Sequence, residues 1–350
     1  MDFGNNIKFN RTKMLDEAAL NHRPRHFMYS FLIMLLVMIV SEVPLLIFQT
    51  ISTVTLVFKN SEIVELLRSD TATTNEIMEK VNEMILNFPW WYTLLSFFFS
   101  GFLIVGALFY CKKFEGRKYT SLGIRKSNYL VEISIGLLIG ISIVSLSLLL
   151  GMATGSVEVS LNDSILWVRV ILVLIGSLIV GAAYEIFFRG YFMASIARDY
   201  KAYLAVLFSA FSYAAINGLR NGANILFLVN MFLFGVFIGL YVLKRGNIFG
   251  ACAIHAAWEF VAKSVFGTEA MSNNLSSIFI VKYKTDMIYA NGGQFGIRAG
   301  AVSSIVIVVA IAILLIIPAN KSELPEYEIN NDEFNGSNDN NTDDYDQYNY

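Results

Sequence analysis

Charge is what this sequence is short of. Only 15% of its 350 residues are Asp, Glu, Lys or Arg, where a soluble domain of this length carries about 25%. That shortage argues against a water-soluble globular chain. Cysteine is scarcer still. Cys111 and Cys252 are the whole complement, too few for a disulfide framework. Histidine is limited to His22, His26 and His255, which leaves little nitrogen for a metal site. The basic residues are scattered through short loops, with no patch of the kind that binds nucleic acid. No internal repeat is visible.

What the chain has instead is apolar residues, 55% of the total, with a mean hydropathy of +0.55. They gather in long runs, and a run of about 18 or more crosses a bilayer as a helix. The runs predict spans near 27–49, 89–111, 129–153, 165–195, 202–217, 223–243, 249–266 and 298–318. The expected fold is all-α, a polytopic transmembrane helical bundle of about eight spans, with the lipid bilayer as its solvent. The first run, from Phe27 to Phe48, is too long for a signal-peptide core and reads as a retained span.

Lys and Arg in short loops set orientation. Segment 1–26 is basic. Loop 112–126 carries Lys112, Lys113, Arg117, Lys118, Arg125 and Lys126, and Lys244 with Arg245 marks a third basic turn. Loop 154–164 has only Glu158 and Asp163. The pattern predicts that both termini are cytoplasmic, and the expected location is the plasma membrane. The chain then divides into a cytoplasmic segment 1–26, three spans in 27–153, a second membrane unit in 160–318 and an acidic, Asn-rich tail at 319–350. The tail has almost no aliphatic residues and is expected to be disordered. Between the first two spans, Ile77, Met78, Val81, Met84 and Ile85 fall on one helical side, and Thr73 with Glu76 has capping-box spacing. This predicts an interfacial helix near 74–87. Gly136 with Gly140 and Gly235 with Gly239 form GxxxG pairs, which allow close helix packing within the bundle.

A charge at the bilayer centre costs about 2.5–3.5 kcal/mol on insertion scales. The few present are therefore paired or functional. Glu185 and Arg189 lie four residues apart on one helix face and can pair. His255, Glu259 and Lys263 lie on one stripe. A His–Glu pair at that spacing can bind a metal. It can also be a hydrogen-bonded pair, with Glu259 neutralised by Lys263. Asn217, after Tyr213 and before a Gly-containing turn, reads as a loop or cap residue.

The ordered set Glu185-Ile-Phe-Phe-Arg189-Gly190-Tyr191, Tyr213-Ala-Ala-Ile-Asn217 and His255-Ala-Ala-Trp258-Glu259 resembles a known family. It is similar to the CAAX protease and bacteriocin-processing (CPBP) intramembrane metalloproteases, the type II CAAX prenyl endopeptidase family. The likeness spans roughly 160–318, and includes the stretch from Asn230 to Gly246 and the Gly292-Gly293-Gln-Phe295-Gly296 loop. The family motifs are Glu-Glu-x-x-x-Arg, Phe-x-x-x-His and His-x-x-x-Asn/Asp. Glu185, Arg189 and His255 match them, whereas Tyr184, Asn217 and Glu259 stand where the family has Glu, His and Asn/Asp. The resemblance implies that the first motif Glu activates water and that histidines hold a metal. Tyr184 supplies no general base, and a catalytic zinc takes three protein ligands plus water. The resulting expectation is a degenerate member without a cofactor, which binds a membrane protein or a hydrophobic peptide. One alternative is an active metallo-endopeptidase, with zinc on His255, Glu185 and Glu259. A transporter is another, but matched broken spans are not seen. By the helix rise, His255 and Glu185 lie nearer the cytoplasmic ends of their spans than Asn217 does. The first two can then meet in a cavity open to the cytoplasm.

The charge pattern makes a direct prediction. In a chain whose Cys111 and Cys252 are replaced by alanine, Thr120→Cys and Ser160→Cys should react with an impermeant maleimide from opposite sides of the membrane. Labelling of both from outside would exclude the eight-span arrangement.

Overall fold

The computed structural model describes residues 12–20, 24–69, 71–86, 88–221, 224–268 and 277–318. The expected disorder at 319–350 falls outside them. The helices are α1 (Lys13–Ala19), α2 (Phe27–Lys59), α3 (Ser61–Arg68), α4 (Thr74–Leu86), α5 (Trp90–Ser100), α6 (Phe102–Phe114), α7 (Tyr129–Ala153), α8 (Trp167–Glu185), α9 (Ala194–Ile196), α10 (Ala202–Asn221), α11 (Ile225–Arg245), α12 (Ile248–Phe260), α13 (Ile288–Asn291) and α14 (Ala301–Ile316). Two strands, β1 (Val157–Leu161) and β2 (Phe279–Tyr283), pair antiparallel, with Val157 opposite Tyr283 and Leu161 opposite Phe279.

Among the described residues, seven helical rods are long and apolar enough to cross a membrane: Phe27–Lys59, Trp90–Phe114, Tyr129–Ala153, Trp167–Ile196, Ala202–Leu219, Ile225–Arg245 and Ile248–Val265. The eighth apolar helix, α14, has 16 residues and a length of about 24 Å. The protein is a multi-pass, all-α membrane bundle. Its first span departs from expectation, running ten residues past position 49 to Lys59. The extension is rich in Thr and Val. Thr55 hides its hydroxyl on the Ile51 carbonyl at 2.7 Å, so the polar residues do not break the helix. Asn60 ends it and caps α3 through the Ile63 amide, at 3.2 Å.

The expected capping box is formed. The Thr73 amide donates to Glu76 Oε2 at 2.8 Å, and the Glu76 amide donates to Thr73 Oγ1 at 3.3 Å. Those Thr73 donors hold the Glu76 carboxyl below its usual pKa. The β1–β2 pair was not expected. Five-residue strands flanking membrane helices carry too short a pattern to separate from loop.

The two GxxxG pairs work inside the chain. A Cβ on Gly136 would lie 2.3 Å from the Gly250 carbonyl oxygen, and one on Gly140 would lie 2.4 Å from that of Ile254. On the opposite side of α12, a Cβ on Gly181 of α8 would meet the Ala256 nitrogen at 2.7 Å. Helix α12 is thus clasped between α7 and α8, backbone against backbone. Likewise, Gly235 and Gly239 of α11 seat on Ala210 and Val206 of α10.

The basic loops converge at one end of the bundle. Arg25 (3.4 Å), Arg117 (3.2 Å) and Arg198 all pair with Glu115. Arg117, buried, also donates to the carbonyls of Ser121 and Gly190 at 2.9 and 3.0 Å. The β1–β2 pair joins loops at the opposite end.

The α7–α12 contact gives a stability test. Gly140→Leu should cost about 1–3 kcal/mol or more through overpacking, read as a lowered unfolding temperature in detergent. Leu130→Ile, at a site 63% exposed, should leave that temperature almost unchanged.

Candidate functional site

Helix α8 delivers Glu185 at its last residue and then widens into a π-helical stretch, Ile186–Met193. Such i→i+5 turns recur at functional sites. Arg189 lies in that stretch. Glu185 and Arg189 are fully buried and 3.1 Å apart, the pairing expected from their spacing. The second guanidinium nitrogen of Arg189 donates to the Gly235 carbonyl at 3.1 Å. A Cβ at Gly235 would lie 3.2 Å from that same nitrogen. The glycine therefore clears the path to its own carbonyl.

His255 comes from α12. Its Nδ1 lies 2.6 Å from Glu185 Oε1. An ionised carboxylate only accepts, and against that form the Nδ1–H is the donor. The stripe on α12 allowed His255 to pair with Glu259. The structure pairs it with Glu185 across the helix interface instead. Glu259 is held by Lys263 at 2.7 Å, as expected, and by Arg298 at 2.5 Å, which was not. Arg298 reaches in from the loop before α14. That loop is pinned by Asn230, whose amide donates to the carbonyls of Arg298 and Gly300 at 2.9 Å each. It turns at Gly292, where φ is +84° and a Cβ would strike the Gly296 carbonyl oxygen at 2.0 Å.

Aromatic rings wall the pair. The His255 ring lies 5.7 Å from Tyr184, 6.0 Å from Tyr213 and 5.6 Å from Phe234. The Arg189 guanidinium stands over the face of Tyr213 at 4.9 Å, within cation–π range. The sequence depths put Glu185 and His255 at a cavity open to the cytoplasm. They do meet, but in packed interior, 0% and 2% exposed, because these rings fill the space. Asn217 sits one turn past Tyr213 on α10 and donates to that residue's carbonyl at 2.9 Å.

Residues 165–261 match the family model described as Type II CAAX prenyl endopeptidase Rce1-like. This segment is similar to that family. No curated protein matches the chain. The Rce1-like segment runs from the approach to α8 to just past the end of α12. It contains Tyr184, Glu185, Arg189, Asn217, His255 and Glu259, and it agrees with the resemblance drawn from the motifs. Arg298 lies outside it.

The metal that the resemblance implies can be tested against the donors. Among the described residues, no three of His, Cys, Asp and Glu gather where they could share an ion. Glu185 and His255 provide two donors, already bonded to one another, whereas a catalytic zinc takes three and a water. The Glu259 carboxylate is engaged by two cations. This donor set does not fit zinc.

Sequence reasoning missed Phe234, Gly235, Asn230 and Arg298. Gly235 had a signal in its GxxxG pair. Arg298 had one in its place beside a glycine-rich loop ahead of an apolar run. The stability of the site follows from its burial. Removing one member of a buried pair strands the other charge, at about 3–5 kcal/mol. Arg189→Ala should therefore lower the unfolding temperature much more than Glu185→Gln, which is neutral and keeps a hydrogen-bonding group. Equal, negligible shifts would mean that the pair is hydrated.

Proposed function

We propose that this protein sits in the plasma membrane with both termini cytoplasmic. On this reading its Rce1-like site is catalytically silent and serves to bind a membrane protein or a hydrophobic peptide segment. The observation that carries the reading is the closed Glu185–His255–Arg189 set, with Tyr184 beside it. The carboxylate that would activate water is bonded to the imidazole that would help hold a metal, and both face an arginine. Tyr184 adds no base, since an unperturbed phenol ionises near pH 10. The meeting of Arg25, Arg117, Arg198 and Glu115 at one end supports the orientation, because basic loops stay on the cytoplasmic side.

The rival reading is an active endopeptidase with His255, Glu185 and Glu259 as ligands. Two cations on Glu259 count against it. Loss of a general base alone costs about 10²–10⁴-fold in rate, and Asn217 takes the place of a histidine as well. Membranes carrying the wild-type chain should therefore leave prenylated CAAX peptides uncleaved. Glu185→Ala and His255→Ala should give the same background. Tyr184→Glu or Asn217→His alone should add little, since groups that act as a unit are not additive; the double variant is the smallest change with a route to activity. Metal-dependent cleavage by wild type that both alanine variants lose would overturn the proposal.

A further inference from the structure

Away from this site, α7 and α14 touch but do not close along their whole length. They leave a groove of about 710 Å³ along their length, with Phe237 of α11 at its back. On α14 its walls run from Ile305 to Ile317, about 18 Å at 1.5 Å per residue. On α7 they run from Leu138 to Ala153, about 22 Å by the same rise. One polar side chain, Ser142, lines it, and that hydroxyl is spent on the Leu138 carbonyl at 2.7 Å. The groove thus offers no free side-chain hydrogen-bond donor. Any occupant without internal backbone pairing would strand its polar groups.

Length separates the apolar occupants. A spanning helix needs the full depth of about 30 Å, and the groove is too short for it. One leaflet is about 15 Å deep, half the hydrocarbon core. The groove therefore suits an extended hydrocarbon chain.

A cation marks one end. Lys244, in the last turn of α11, donates its ammonium to the carbonyls of Leu315, at 3.1 Å, and Ile317, a residue of the groove wall. Among the described residues, no carboxylate lies within ion-pair distance of it. Its neighbour Arg245 is paired with Glu132. Among the described residues, Lys244 thus brings a positive charge without a carboxylate partner to the end of an apolar slot, at the level where the helix leaves the membrane.

We propose that this groove is a site for an anionic phospholipid, with one acyl chain between α7 and α14 and the phosphate at Lys244. The test uses the full chain, delipidated in detergent and titrated with dioleoyl phosphatidylglycerol or dioleoyl phosphatidylcholine. The unfolding temperature and the lipid retained in native mass spectra are both read. Phosphatidylglycerol should bind saturably and about fivefold tighter than phosphatidylcholine, the worth of one lysine near a charged interface. Lys244→Gln should abolish that preference while leaving the weaker binding. Val309→Trp should fill the groove and remove binding of both lipids. Val309 is 52% exposed, so the ring has room to be accommodated. Val308→Trp, next to the wall but not part of it and 50% exposed, should bind like wild type; so should Val308→Ile, which spares the slot if the tryptophan variants fold poorly. Glycerol phosphate, the headgroup without a chain, should give no shift. Equal affinity for the two lipids, or undiminished binding by folded Val309→Trp, would overturn the proposal. So would a shift produced by glycerol phosphate alone.

Discussion

The structure depends on neutralising one buried carboxylate. Glu185 is fully buried at the end of α8, in a position where an unpaired charge would be prohibitive. Arg189 answers it from the same rod and His255 from α12. Each partner then recruits support. Arg189 needs the Gly235 carbonyl of α11 and the face of Tyr213 on α10. His255 needs α12 held at a fixed height against α8. A single negative charge thereby fixes the mutual register of four helices.

That register is available because the helices can approach. The seams at Gly136, Gly140 and Gly181 let α7 and α8 close on α12 until backbone meets backbone. In lipid such contacts replace the hydrophobic drive that assembles soluble cores, since hydrocarbon solvates Leu as well as protein does. The ion set and the glycine seams are two parts of one device. The seams bring α12 within 2.6 Å reach of Glu185, and the bond to Glu185 resists sliding along the seams. A second ionic set, Glu259 with Lys263 and Arg298, does the same for the far part of α12. It ties the loop before α14 to the bundle.

Interactions that lie within one helix were legible in the sequence. The apolar runs, the Thr73–Glu76 capping box and the Glu185–Arg189 and Glu259–Lys263 pairs all follow from spacing of three or four residues, which a helix turns into adjacency. Contacts between helices were not. Nothing in the stripe His255, Glu259, Lys263 says that the imidazole prefers Glu185, 70 positions away. Nothing places Arg298 on Glu259 across 39. The resemblance narrowed the first case by putting Glu185 and His255 in one family motif set, but it offered no role for Arg298. The ten-residue extension of α2 was hidden by Thr and Ser, whose hydroxyls look polar in a window yet vanish onto their own helix.

The identity of residue 184 is what makes the set self-sufficient. A carboxylate there would stand next to Glu185 and bring a second negative charge into the same dry interior. Arg189 and His255 would have to neutralise both, or one of the pair would have to hold a proton, as like charges in a shared site do. Tyrosine asks for no counter-charge. Its ring lies 6.0 Å from Phe188 and Tyr213 and 5.7 Å from His255, so it fills volume instead of demanding solvent. With one carboxylate set against one guanidinium and one imidazole, the charge on Glu185 is met inside the bundle. On the proposed reading, no charge is left over for a hydrolytic water.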